Sequence, residues 1–536
     1  MKEEIQKLLE NAILSLKKSN NWPNFDVSQI NIDFSKNEKF GDYSTNLAMA
    51  LAKYFKKNPM EIAEEIIRSL DSAQHDKNIF EKIEIVAPGY INLYLSKKYF
   101  QNKVTEINRL GEKFGNSDIG SGVKVNNEFI SANPTGPLHL GNGRGGFYGD
   151  SLGKVLKKAG FEVTNEYYIN DAGEQAVKFA HSLHEDDQAV YVGEYITELR
   201  NKHKEILDES IEMSVAPSVA AVMNDYIDPA IDKMKIEFDS WISEKKDLQD
   251  AGYIDKALEL LKSKKLVYEK EDALWLKTTD FGDDKDRVLV KSTGEKTYIA
   301  SDCGYILNKI ERKFDKIIEI WGADHHGYIS RFKAAAKALG FVGELKFIII
   351  QLVRLVKDGK EVRMSKRTGN VVYIEELIDK VGHDVTRFFF LMYSPDTHMN
   401  FDMGLAEERS QKNPVYYVQY AYARICSILR KAAEDKIGIK NTDLSLLTHE
   451  KELSLVRELN KFPELVAEIA ESYEVHKLPH YAIKLADRFH SFYNDLRVIN
   501  EADMETSKAR LGLVNAVRIV LAETLRLIGV EAPDKM

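Results

Sequence analysis

Near the start of the chain, Ile5, Leu8, Leu9, Ala12, Ile13 and Leu16 recur every three or four positions. This is the stripe of an amphipathic helix that buries one face. Phe40, Gly41, Asp42, Tyr43, Ser44, Thr45 and Asn46 follow a polar stretch and lead into an Ala- and Leu-rich run, which predicts a turn and a helix N-cap. Residues 83–86, Pro88-Gly89 and 90–95 predict strand, turn and strand. The first unit is therefore mixed α+β. It is expected to span 1–112, because Gly111, Gly115, Gly120 and Gly122 then punctuate the chain.

Short apolar runs at 123–130, 163–168, 317–321 and 347–353 alternate with helical patterns. The alternation predicts βαβ units and a parallel sheet over 120–404, with a helical insertion and a small β-rich patch between about 183 and 300. Over 405–536 the apolar residues keep helical spacing and Gly and Pro are sparse, which predicts an all-α bundle. No apolar run approaches the ~18 residues needed to cross a bilayer, so no membrane span is expected.

Composition narrows the class. At ~100–200 residues per domain, 536 residues suggest about three domains. With 44% hydrophobic and 30% charged residues the chain reads as globular, not disordered. Cys303 and Cys426 are the two cysteines and form no CxxC, which excludes a disulfide framework and a cysteine-rich zinc site and favours a reducing, cytoplasmic setting. The first residues lack a signal peptide's apolar core, and Glu3, Glu4 and Glu10 are foreign to a mitochondrial presequence. A net charge of −9 argues against a nonspecific nucleic-acid coat but leaves room for a local basic face.

Two segments carry chemistry. After the strand at 123–130 comes Ser131-Ala132-Asn133-Pro134-Thr135-Gly136-Pro137-Leu138-His139-Leu140-Gly141-Asn142-Gly143-Arg144-Gly145-Gly146. Residues 141–146 satisfy GxGxxG, and Glu166 follows about 20 residues on, as in a dinucleotide fingerprint. We read this as a decoy, because a true fingerprint turns directly after its strand, whereas here a loop with two prolines intervenes. The alternative places His139 at a helix N-terminus, where unpaired N–H groups attract phosphate. His139 can then donate to a phosphate whose charge grows during reaction. Taken alone, the segment is equally a structural Gly-rich turn. The second segment is Lys357-Asp358-Gly359-Lys360, a turn, followed by Arg363-Met364-Ser365-Lys366-Arg367-Thr368-Gly369-Asn370. Its cations can clamp a triphosphate in the transition state, or simply form a solvated charged turn.

Together, His-Leu-Gly-Asn and Met-Ser-Lys-Arg on one α/β sheet resemble the two signatures of class I aminoacyl-tRNA synthetases. The resemblance implies a Rossmann-type catalytic domain. Asn142 stands where the second His of the first signature usually lies. It can hydrogen-bond but carries no charge. The span from His139 to Lys366 leaves no room for a large editing domain. The finer wording is similar to the arginyl-tRNA synthetase family: 128–137, Tyr167 to Gly173, Trp321-Gly322-Ala323-Asp324-His325-His326-Gly327, 363–370, 413–421 and 531–536.

The family resemblance implies a set of roles. His139, Asn142 and Lys366 serve catalysis. Gly141, Gly322, Asp324, Met364, Ser365 and Lys366 contact ATP, although Gly322 and Asp324 also suit a strand-to-loop turn with a capping Asp. Asn133, Glu244, Tyr298, Asp302 and His326 hold L-arginine, whose guanidinium is best read by carboxylates. Tyr298 and Asp302 are four residues apart, on one face of a helical turn. Mg2+ is expected on the triphosphate, without a metal cage built from the protein. The 1–112 unit is implied to meet the corner of tRNA(Arg), with Tyr90 and Asn92 on one strand face; a core-facing Tyr90 is the competing reading. The 405–536 bundle is implied to bind the anticodon. A monomer is the family expectation, and so is arginine activation that requires bound tRNA. Two rivals remain: a non-catalytic RNA-binding paralogue, and another class I-type nucleotidyl transferase.

Overall fold

The computed structural model describes residues 1–20, 22, 30–35, 38–73, 79–362, 372–439 and 442–536. The first apolar stripe becomes α1 (Lys2–Asn20), with Ile5, Leu9, Ala12 and Ile13 buried. Next come β1 (Ile32–Phe34), β2 (Tyr43–Thr45), α2 (Leu47–Phe55), α3 (Pro59–Ala73), β3 (Phe80–Val86), β4 (Tyr90–Leu95) and α4 (Lys97–Leu110). The strands form an antiparallel sheet in the order β1-β2-β4-β3. One expectation is corrected here. Residues 43–45 are a strand rather than part of a turn, because Tyr43 is fully buried and pairs with Leu93 across the sheet. Asn46 does precede α2, but its side chain makes no cap bond.

The middle of the chain runs β5 (Lys124–Glu128), α5 (Leu140–Lys158), β6 (Glu162–Ile169), α6 (Glu174–His184), α7 (Glu194–Lys202), α8 (Ile211–Val222), α9 (Asp228–Lys233), β7 (Ser240–Ser243), α10 (Tyr253–Ser263), β8 (Val267–Lys270), β9 (Ala273–Leu276), β10 (Arg287–Val290), α11 (Tyr298–Glu311), β11 (Lys316–Gly322), α12 (Ile329–Leu339) and β12 (Glu344–Ile350). A five-stranded parallel sheet is ordered β12-β11-β5-β6-β7. Strand order reverses at β5, so a crevice opens at the carboxyl ends of β5 and β11, where doubly wound sheets bind ligands. Strand β7 lies inside the stretch read as an insertion; four residues are too few for a periodic signal. The run 347–353 is also not one strand. It breaks after Ile350, and β13 (Val353–Lys357) starts a second sheet with β14 (Lys360–Glu361) and, after α13 (Ile374–Val381) and α14 (His383–Leu391), β15 (Met399–Asp402).

The rest is helical: α15 (Met403–Glu407), α16 (Pro414–Glu434), α17 (Glu450–Asn460), α18 (Phe462–Ser472), α19 (Lys477–Asp495) and α20 (Met504–Ile528). The end of α20 plugs into the parallel-sheet region. The Ile528 carbonyl accepts from the Ser151 hydroxyl of α5 (3.1 Å) and from the Arg387 guanidinium of α14, which also pairs with Asp150. Gly529 has φ +78°, and a Cβ there would stand 2.3 Å from the Arg387 guanidinium carbon, so the close approach requires glycine.

Register places Glu319, Glu128 and Glu166 side by side on β11, β5 and β6, all buried. Helix α11 neutralises them. Lys309 Nζ bonds Glu128 (2.6 Å) and Glu319 (2.7 Å), and the Tyr305 hydroxyl, with one proton to donate, lies within hydrogen-bond distance of both Glu128 (2.6 Å) and Glu166 (2.8 Å). Arg312 closes on Glu166. Positions 305, 309 and 312 share one helix face. Three carboxylates meet two cations. Burial and the neighbouring Glu128 push the Glu319 carboxyl up to about 8, against the pull of Lys309. Replacing Lys309 by Met leaves buried carboxylates unpaired. We expect a loss of ~3–5 kcal/mol, read as a fall of about 10 °C in the first thermal transition; a fall under about 2 °C contradicts this account of the row.

Candidate active site

The loop from β5 carries Pro134 and Pro137, which delay the helix until Leu140. His139 then caps α5. Its Nδ1 accepts from the backbone N–H of Gly141 (3.0 Å) and Asn142 (3.3 Å), while Asn142 Oδ1 accepts from the His139 N–H (3.1 Å). This is a reciprocal capping box built from His and Asn. Because Nδ1 accepts, the ring proton is assigned to Nε2, which is left as a donor at the positive end of the helix. The imidazole keeps an open face, yet protein crowded around it lowers its pKa, against a smaller upward pull from Asp324. Asn142, a departure from the usual second His, thus has a structural task the sequence did not reveal. Gly141 fits because a Cβ would lie 2.9 Å from His139 Cε1.

The dinucleotide reading fails, as expected. Residues 141–146 lie within α5 and not in a strand-to-helix turn. Glu166 is buried under Tyr305 and Arg312 and is unavailable to a ribose.

Across the crevice, Gly322 ends β11, and Asp324 and His326 lie on the turn Ala323–Tyr328. All three are exposed. A Cβ on Gly322 would touch Asp324 Oδ1 at 2.6 Å. The His326 carbonyl accepts from the Ile329 N–H, and among the described residues its imidazole makes no hydrogen bond or ion pair. Residues 363–370, with Met364, Ser365 and Lys366, lie outside the described residues. Their flanks are placed. The hairpin β13–β14 turns at Asp358 (φ 52°) and Gly359 (φ 74°). On the far side Tyr373 bridges to His139, and Ile374 N–H donates to the Leu138 carbonyl (2.9 Å).

An acidic pocket lies at the same end of the sheet, beyond β6. Glu244 directly follows β7 and is buried. Its Oε1 accepts from the Ser301 hydroxyl (2.8 Å), and the Tyr168 hydroxyl bonds it as well. Asp302 sits in the first turn of α11, next to Ser301, and Tyr298 opens that helix, 45% exposed. Burial and then repulsion from Glu244 push the Asp302 carboxyl up to about 7, partly offset by Arg331. Burial raises Glu244 too, opposed by its hydrogen bonds to Ser301 and Tyr168. Among the described residues neither acid has an ion-pair partner. Two desolvated carboxylates without a cation form a site that a cationic ligand completes.

Asn133 lies at the end of the β5 loop, exposed, between Asn170 (3.1 Å) and Gln175 (3.4 Å). Asp171 is held by the Ser243 hydroxyl (2.5 Å) and the Lys245 N–H (2.8 Å). Tyr168, Ser301 and Gln175 were not singled out from the sequence. Tyr168 lies within the motif Tyr167 to Gly173 and Ser301 is next to Asp302, whereas Gln175 left no signal. Far from this site, Tyr90 and Asn92 share one face of β4. Tyr90 is open to solvent, while Asn92 is covered where it pairs with Ser44 and Glu84.

Comparison with known proteins matches three family models in order: "Arginyl tRNA synthetase N terminal domain" over 2–95, "tRNA synthetases class I (R), catalytic domain" over 103–388 and "DALR anticodon binding domain" over 418–536. The arginine--tRNA ligase of Bacillus licheniformis is 43% identical, covering 100% of this chain and 99% of that protein. That of Anoxybacillus flavithermus is 44% identical at the same coverage. The Thermus thermophilus arginyl-tRNA synthetase shares the fold, with a TM-score of 0.78 at 23% identity over 99% of this chain and 100% of the other. With a resemblance that runs the full length of both chains, this chain belongs to the arginyl-tRNA synthetases of class I.

Proposed function

We propose that the chain ligates L-arginine to tRNA(Arg) in two steps, of which the first consumes ATP. The arginine carboxylate attacks the α-phosphate of ATP, giving arginyl-adenylate and pyrophosphate; the terminal ribose hydroxyl of the tRNA then takes the arginyl group and releases AMP. The observation that carries the reading is the cation-deficient pair Glu244 and Asp302, set at the carboxyl end of the parallel sheet that also presents His139. A guanidinium stays charged at any working pH and offers a planar fork to two carboxylates. Tyr298 and Asn133 border this pocket, and His326 is assigned to it by resemblance alone.

At the crevice, the His139 Nε2 proton and the N-terminus of α5 face the nucleotide phosphates and stabilise charge on the leaving pyrophosphate. Gly141, Gly322 and Asp324 line the adenosine side, and Met364, Ser365 and Lys366 join from the second signature. Mg2+ enters on the triphosphate. The expected units 1–112, 120–404 and 405–536 divide the work: the first meets the tRNA corner through Tyr90, while Asn92, covered within the sheet, is not available to a base, the second performs the chemistry, and the third reads the anticodon. We further propose that the protein acts as a cytoplasmic monomer.

The direct test is exchange of labelled pyrophosphate into ATP with each amino acid, with and without tRNA(Arg). Exchange with arginine alone among the amino acids, and only when tRNA is present, is expected. No exchange with any amino acid would favour the RNA-binding paralogue. Replacing Asp302 by Asn is expected to raise the arginine KM ~100-fold, the scale of losing one partner of a desolvated charge pair, with the ATP KM within about twofold. Replacing Asn142 by Ala removes half of the cap. About 1 kcal/mol of local stability and roughly tenfold in the exchange rate should be lost, with the arginine KM unchanged.

A further inference from the structure

Arg144 lies in the second turn of α5, 1% exposed, and among the described residues it makes no ion pair. Its guanidinium instead donates to three backbone carbonyls: Nη1 to Gln351 (2.8 Å) and Thr397 (2.9 Å), and Nη2 to Ser394 (2.8 Å). Burial lowers its pKa to about 10, so it remains charged at neutral pH. A buried cation held by carbonyls is a costly way to fill space, and an apolar side chain of similar volume would leave those carbonyls without that donor. What the apolar side chain cannot do is hold three acceptors in a fixed planar geometry.

The three acceptors sit at the root of one substructure. Gln351 lies between the end of β12 and the start of β13, and Thr397 lies two residues before β15. These two strands pair in parallel, Val353 with Met399 and Leu355 with Phe401. Gln351 N–H also bonds the Pro395 carbonyl (2.8 Å), and Met399 N–H bonds the Leu352 carbonyl (3.1 Å). Arg144 therefore ties the segments just before both strands to the helix whose cap is His139. In sequence, β13 and β14 run directly into the second signature.

We propose that Arg144 is a positioning residue for adenylate formation: its guanidinium fork sets the strands that lead to the second signature at a fixed place relative to His139. The proposal rests on the ATP-dependent reading given above. It assigns Arg144 no contact with substrate. Fork geometry carries the role and charge alone does not, so lysine is an inadequate replacement.

The test uses the full-length protein with tRNA(Arg) and compares the wild type, Arg144→Lys and Arg144→Met in arginine-dependent pyrophosphate exchange and in thermal unfolding. Wild-type exchange tests the reading of function; the variants test the proposal. Displacing a catalytic element by about 1 Å costs ~100-fold in rate. Both variants are therefore expected to lose exchange kcat by about that factor, with the arginine KM within about twofold, because that pocket lies on the other side of β5. If Arg144→Met does not fold, Arg144→Lys decides the matter. A lysine variant with wild-type kcat overturns the proposal. So does a variant whose kcat loss is matched by an equal loss of folded protein, since that pattern describes a merely structural residue.

Discussion

A row of three buried glutamates facing one helix fixes the geometry on which the site depends. Glu319, Glu128 and Glu166 occupy adjacent strands at the same level. Such a row is unfavourable unless cations are supplied, and α11 supplies Lys309, with Arg312 just beyond its end. The requirement works in both directions. The helix can dock only where its cations meet the row, and the strands can align only where the row meets the helix. Because α11 begins with Tyr298 and Asp302, docking by its C-terminal half places its first turn at the carboxyl end of the sheet, beside Glu244. Asp302 and the Lys309 that neutralises the row thus share one helix, seven residues apart.

Helix α5 plays the corresponding part for the nucleotide side. It is held in three places along its length. The His139–Asn142 cap and the Tyr373 bridge hold its first turn, Arg144 holds its second, and Asp150 and Ser151 hold its middle through Arg387 and Ile528. The last contact comes from the end of the C-terminal bundle, so the element that caps the crevice and the element at the far end of the chain meet without a linker between them. Small residues on α5 permit this crowding; a Cβ on Gly149 would stand 2.2 Å from the Phe129 ring.

Long periodic features were legible from the sequence. The α1 stripe, the four strands near 123, 163, 317 and 347, and the helical C-terminal region all follow from local apolar spacing. Short or tertiary-dependent elements were not. Strands β2 and β7 have three and four residues and exist because a neighbouring strand pairs with them. The chain break at 351–352 depends on a loop more than 40 residues further on, which local pattern cannot report. For the site, motif spelling pointed to Glu244, Asp302 and His139. It did not reveal that Asn142 completes a cap, that Tyr168 and Ser301 hold Glu244, or that Arg144 ties two strands of the second sheet to α5, because each of these roles exists only in three dimensions.

The account holds that Asp302 and Glu244 lack a cation until arginine brings one. Below about pH 7 Asp302 keeps its proton in the empty pocket. A guanidinium is always charged, so its arrival must expel that proton, and affinity should rise with pH until Asp302 is already ionised. Titration calorimetry of arginine into the protein–tRNA complex, in buffers of different ionisation heat, counts the proton directly. The account predicts release of about one proton at pH 6 and close to none at pH 8.5. No release at either pH would show that the pocket was already ionised or already paired, and would contradict it.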